Sequence, residues 1–166
     1  MPATHTPAVG PEAKIHPPEL AHQPPATAQE SRLARLHRRY GWTALLIWLS
    51  FGTLLESLNG FRSSAYLLDP LRREFWTLAH FHGALLALLN LIYIRWAENP
   101  ALSAEQRRWA SYALVAGSIM MPLGFFLGGM FHYEGDPGLG IFLAPPAALA
   151  ILFTVVLQTI GAWRAE

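Results

Sequence analysis

The chain has no cysteine among its 166 residues, which excludes disulfides, Cys-ligated zinc, iron–sulfur clusters and covalently attached c-type haem. Any metal must be held by His, Met or carboxylate. Charge is also scarce: 14% of residues are Asp, Glu, Lys or Arg, the net charge is only +1, and the cations fall in short clusters between apolar runs. That distribution lacks the basic stripe of a nucleic-acid-binding surface, and nucleic acid is set aside as a partner. No internal duplication is detectable, which makes a small transporter built from repeats unattractive. The first thirty residues lack the charged start and continuous apolar stretch of a signal peptide.

Apolar residues are abundant, at 52%. Residues 1–30 hold seven of the thirteen prolines and almost none of the large apolar side chains, so this segment is expected to be a disordered Pro/Ala-rich tail. Beyond it, residues 31–166 are read as an all-α integral membrane four-helix bundle. Its four apolar stretches, about 42–61, 77–96, 109–131 and 139–163, are each long enough to cross a hydrocarbon core of about 30 Å as helix. Tyr40, Trp42, Tyr93, Trp96, Trp109, Tyr112 and Trp163 fall where an aromatic belt belongs on one side, and Trp76 and Tyr133 on the other. Asn99-Pro100 stops the second span, and Ser103 with Gln106 offers a capping box for the third.

Eight arginines flank the side carrying both chain ends (Arg32, Arg35, Arg38, Arg39, Arg95, Arg107, Arg108 and Arg164), against Arg62, Arg72 and Arg73 on the other. The excess predicts both termini in the cytoplasm, in a multi-pass protein of the inner membrane.

With this topology Glu56, Asn59, His80, His82, His132 and Glu134 all lie toward the outer leaflet, whereas the inner half has Asn90 and Gln158. Ionisable groups at membrane depth cost several kcal/mol unless paired, hydrated or bound to something, so these are candidate functional residues. His80 and His82 stand two apart on one helix and point about 160° from each other, so they do not chelate one ion together. His80 shares its face with Gly83, Ala84 and Ala87, a stripe of small side chains with room for a neighbouring helix or a flat cofactor; His82 shares its face with Leu86, Leu89 and Tyr93. His80 is therefore the favoured ligand. A second small stripe, Gly117, Met121, Gly124 and Gly128, lies beside Pro122 in span three and suits close approach of span two. A divalent-metal site formed by Glu56 with His80 or His82 and His132 is an alternative. A haem redox carrier with six-coordinate iron is a second, and a noncatalytic assembly subunit, whose polar residues only join helices, is a third.

The order of features resembles the small membrane family of styrene oxide isomerase and hydroxylaminobenzene mutase, over about residues 35–163. The fragments carrying the likeness are Ala79-His80-Phe-His-Gly83-Ala-Leu-Leu86, Gly124-Phe125-Phe126-Leu127 and Gly140-Ile-Phe-Leu-Ala-Pro-Pro146. The resemblance implies a trimer of four-helix subunits and b-type haem ligated by His80, with the iron acting as a Lewis acid on a small aromatic, oxygen-bearing substrate. The small stripes make Gly83, Ala84, Ala87 and Gly124 the candidate cofactor-contacting positions. Two positions depart from the pattern. The family's substrate-orienting asparagine falls on Leu86 and its tyrosine on Phe126, which removes two hydrogen bonds that an epoxide would use, and Asn90 is rotated about 40° from Leu86 and lies further along the helix.

Overall fold

The computed structural model describes residues 31–164; the predicted tail over 1–30 lies outside the described residues. Helix α1 (Arg32–Gly60) is followed by a one-turn helix α2 (Ser64–Leu67), α3 (Pro70–Tyr93), α4 (Ala104–Met130), a 3-10 turn (Leu139–Leu143) and α5 (Ala144–Arg164). Four helices are long and apolar enough to cross a membrane: α1, α3, α4 and the 3-10 turn joined to α5. The chain is a four-span all-α membrane protein.

Local chemistry sets the helix ends. Ser31 accepts a hydrogen bond from the Ala34 N–H at 3.0 Å and starts α1 ten residues before the apolar run. Asp69 accepts from the Arg72 N–H, and Pro70, whose missing N–H costs nothing in a first turn, begins α3. The predicted capping box of α4 is present: Ser103 Oγ accepts from the Gln106 N–H, and Gln106 Oε1 from the Ser103 N–H. Pro145 and Pro146 fall in the first turn of α5, where the 3-10 turn hands over to α-helix.

The helices pack in a row rather than a closed square. α3 lies between α1 and α4, α4 lies between α3 and α5, and α1 and α5 do not touch among the described residues. The edge helix α5 is accordingly the least covered span, with 11% of its apolar window buried against 39% for α4. Lipid tails are as apolar as leucine, so helix association in a bilayer rests on close packing and interhelical hydrogen bonds. Both are evident. At the α1–α3 contact Gly83 receives the Trp48 indole, Gly52 receives the His80 ring and Gly41 lies against Leu91; a methyl group at any of the three would overlap its neighbour. The Gly117–Gly124 stripe of α4 meets α5 and its preceding turn, through Ala147, Ile151, Gly140 and Ala144, rather than span two as expected; only Gly128 and Gly129 face Phe75 and Trp76 of α3. Thr154 adds a hydrogen bond from α5 to the Ala110 carbonyl of α4 at 2.8 Å.

Phe51, Trp76 and Phe126, from three different helices, form an aromatic group near the end opposite the termini. Trp76 stacks on Phe126 at 5.7 Å and donates its Nε1–H to the Phe126 carbonyl. Phe126 is thus a packing residue.

Candidate functional site

A cleft of about 800 Å³ lies toward the end opposite the termini, lined by residues of α1 and α3 and by Tyr66 of α2. Its walls follow from chain position. The deeper part is lined by Leu49, Gly52, Leu78 and His80, and polarity rises along both helices toward Glu56 and Asn59 on α1 and Arg73 and Glu74 on α3. Glu56 is exposed on this wall.

His80 is half-buried, and its Nδ1 lies 2.8 Å from the Trp48 carbonyl oxygen. A carbonyl only accepts, so Nδ1 carries the proton of the neutral ring and donates it, which leaves the lone pair on Nε2. Nε2 has no hydrogen-bond partner among the described residues. The absence of a side chain at Gly52 lets the imidazole lie against α1. An imidazole fixed by Nδ1–H on a backbone carbonyl, with Nε2 bare, has the orientation and tautomer of a metal-ligating histidine.

His82 is placed differently. It donates Nδ1–H to the Leu78 carbonyl of its own helix and stacks on Phe125 of α4 at 4.9 Å. The two rings point to opposite sides of α3, as their spacing requires. Because α3 is the middle of the row, each side meets a helix.

His132 stands apart from both. Its Nε2–H donates to Asp69 at 2.7 Å, joining the segment after α4 to the N-cap of α3. Burial pushes the Asp69 carboxyl upward, but the Arg72 N–H, the His132 hydrogen bond and the Arg72 charge outweigh it and hold the group below its ordinary value. Glu56, His80, His82 and His132 are therefore not gathered at one point. Among the described residues no three His, Asp or Glu side chains stand close enough to hold a metal ion.

The small stripe beside His80 serves helix packing: Gly83 houses Trp48, the Ala87 carbonyl lies 3.1 Å from where a Gly41 methyl would stand, and Ala84 packs against the same core. Gly124 faces the 3-10 turn before α5, away from His80.

The most buried polar group lies at the other end of the molecule. His37 and Asn90 have no exposed surface, and His37 Nδ1 is 2.7 Å from Asn90 Oδ1. Asn90 donates through Nδ2 to the Leu86 carbonyl and to Ser118, both at 2.8 Å, and Tyr40 approaches the Ser118 hydroxyl. Beside them Gln158 links Asn99 and Tyr93. The half of the molecule read as nearly free of polar groups thus contains its densest buried network, and Asn90 is committed there, away from the His80 cleft. Tyr93, expected at the interface, is buried in it. His37 was hidden among arginines that place it ahead of the first apolar run. The signal that reveals it is the spacing of the buried positions 34, 37, 41, 44, 48, 52 and 55, which continues the inward face of α1 to its start.

No family model, curated protein or solved structure matches the chain, so its functional assignment rests on this geometry and on the fragments quoted above.

Proposed function

We propose that this membrane protein binds b-type haem through Nε2 of His80, at the cleft between α1 and α3, and that the bound cofactor serves isomerase-like chemistry on a small oxygenated apolar substrate. The observation that carries the reading is the His80 ring, whose Nδ1–H is held by the Trp48 carbonyl and whose Nε2 has no partner among the described residues. The remaining cleft residues are compatible with the group. Leu49 and Leu78 offer apolar contact, and Arg73, nearer the polar mouth, suits a propionate carboxylate. Bound there, the iron would supply a Lewis acid to an oxygen atom of the substrate.

The protein's own contribution is orientation and polarity. Trp48 fixes the tautomer of His80, Gly52 sets its distance from α1, and Glu56, Thr53 and Asn59 are the polar groups available to an oxygenated ligand on the α1 wall. Among the described residues no second His and no Met lines the cleft, which favours an open coordination position over the two axial ligands of an electron carrier. The arginine excess supports cytoplasmic termini, with the cleft opening toward the outer leaflet. The trimer implied by the resemblance belongs to the same reading.

The test is the absorption spectrum of the detergent-solubilised protein after expression with haem supply. A Soret band of five-coordinate type, lost in His80→Ala and retained in His82→Ala, is expected. A colourless wild-type protein, or a band indifferent to His80→Ala, overturns the proposal.

A further inference from the structure

The buried network at the terminus end has a direction. The Ala101 N–H donates to Asn99 Oδ1 at 3.0 Å, which turns Asn99 Nδ2 toward Gln158 Oε1 at 3.1 Å. Gln158 must then donate through Nε2, and it does so to the Tyr93 phenol oxygen at 2.8 Å. Tyr93 is left with its own O–H to place, and the hydroxyl it approaches is that of Ser111, without reaching a well-formed hydrogen bond. On the other side, Asn90 Nδ2 donates to the Leu86 carbonyl, which only accepts, so Asn90 Oδ1 must be the acceptor and His37 Nδ1 the donor. Asn90 Nδ2 then continues to Ser118.

Apart from the loose Tyr93–Ser111 approach, these links donate in one sense, from the α3–α4 connection toward Ser118, with one break. The break lies between Ser111 Oγ and His37 Nε2. Both atoms are buried, neither has a hydrogen-bond partner among the described residues, and both belong to residues set against Tyr93, whose ring centroid is 4.6 Å from that of His37. A buried polar atom without a partner costs about 1–3 kcal/mol, and buried water resides where two or more such atoms converge.

We propose that one bound water spans this break, accepting from the Ser111 hydroxyl and donating to His37 Nε2. The ligand is water because the two atoms present one donor and one bare acceptor with no charged partner: the groups facing His37 are Asn90 and Tyr93 from α3, and no carboxylate bonds to it among the described residues. With the water in place a series of polar contacts, loosest between Tyr93 and Ser111, runs from Gln158 on α5 through Tyr93 on α3, Ser111 on α4 and His37 on α1 to Asn90 and Ser118. It joins the two edge helices, which do not touch. The site is independent of any haem at His80.

The experiment is solid-state NMR of the full chain in lipid bilayers with 15N-labelled histidine, the His37 signals being those absent from His37→Asn. Expected are a protonated Nδ1, an unprotonated Nε2 and efficient polarisation transfer from water protons to Nε2; Ser111→Ala reduces that transfer severalfold and leaves the Nδ1–H on Asn90. A protonated Nε2, no transfer from water in the wild type, or transfer unchanged in Ser111→Ala overturns the proposal. Should Ser111→Ala fail to assemble, the wild-type tautomer and water contact decide the matter alone.

Discussion

Replacing Asn90 by leucine tests the buried network by what it leaves behind. Leucine has the same branched heavy-atom skeleton as asparagine, so the shape of a side chain with no exposed surface is kept, although its methyl groups are bulkier and add an overpacking cost. Two interhelical hydrogen bonds are lost, His37 to Asn90 at 2.7 Å and Asn90 to Ser118 at 2.8 Å. Interhelical hydrogen bonds in membrane proteins average about 0.6 kcal/mol, so their direct loss accounts for roughly 1.2 kcal/mol. The larger cost is the His37 Nδ1–H, which bonds to no other acceptor among the described residues and adds a desolvation penalty of about 1–3 kcal/mol. Asn90→Leu is therefore expected to destabilise by roughly 2–4 kcal/mol. The same reasoning fixes the sign of a double-mutant cycle. Once His37→Leu is present there is no donor to orphan, so His37→Leu with Asn90→Leu costs less than the two single changes added together, by at least about 1 kcal/mol. Reversible unfolding in mixed micelles, or steric trapping in bicelles, measures all four corners. Additive costs, or an Asn90→Leu effect below about 0.5 kcal/mol, would refute the reasoning that a buried imidazole depends on this amide.

Other changes read out separate parts of the molecule. Gly52→Ala introduces a methyl group into the His80 ring and should abolish haem loading about as fully as His80→Ala while the far end of the molecule keeps its structure, checked by haem content and by the NMR signals of His37. Gly83→Ala drives against the Trp48 indole and should destabilise by more than about 1 kcal/mol through overpacking, read as a lower midpoint of unfolding. Because the folded-state value of Asp69 lies below the ordinary 3.8, the stability it contributes is present above that value and is lost as pH falls through the lowered folded value. Asp69→Asn should flatten this acid limb of the pH–stability curve; an unchanged limb would show that the carboxylate is not the group responsible.

Much of the scaffold is visible in residue order. Four runs of membrane length and the Ser103–Gln106 capping box each depend on neighbours within a turn or two, and each appears in the structure, whereas the second span ends at Tyr93, ahead of the expected stop at Asn99-Pro100. The opposed directions of His80 and His82 follow from helical geometry alone. What those rings meet does not, because it depends on α3 occupying the middle of the row, a property of helix arrangement that no single helix encodes. The expected meeting of Glu56, His80, His82 and His132 treated depth in the membrane as proximity, yet residues at one depth can lie on different faces: His132 is tied to Asp69, and Glu56 lines the cleft wall. His37 was obscured for the opposite reason. Local charge from Arg35, Arg38 and Arg39 marks the segment as interfacial, whereas the period of its small and buried residues marks one face as core.

The functional reading turns on a single coordinate bond, and His80→Gly tests it most directly. The substitution removes the imidazole and leaves space at Gly52 for an exogenous one. Purified His80→Gly should contain little or no haem, and supplying imidazole with haem should restore a near-stoichiometric complex with the wild-type spectrum. Full haem content in His80→Gly without imidazole would contradict His80 as the ligand, and so would a complex that imidazole leaves unchanged.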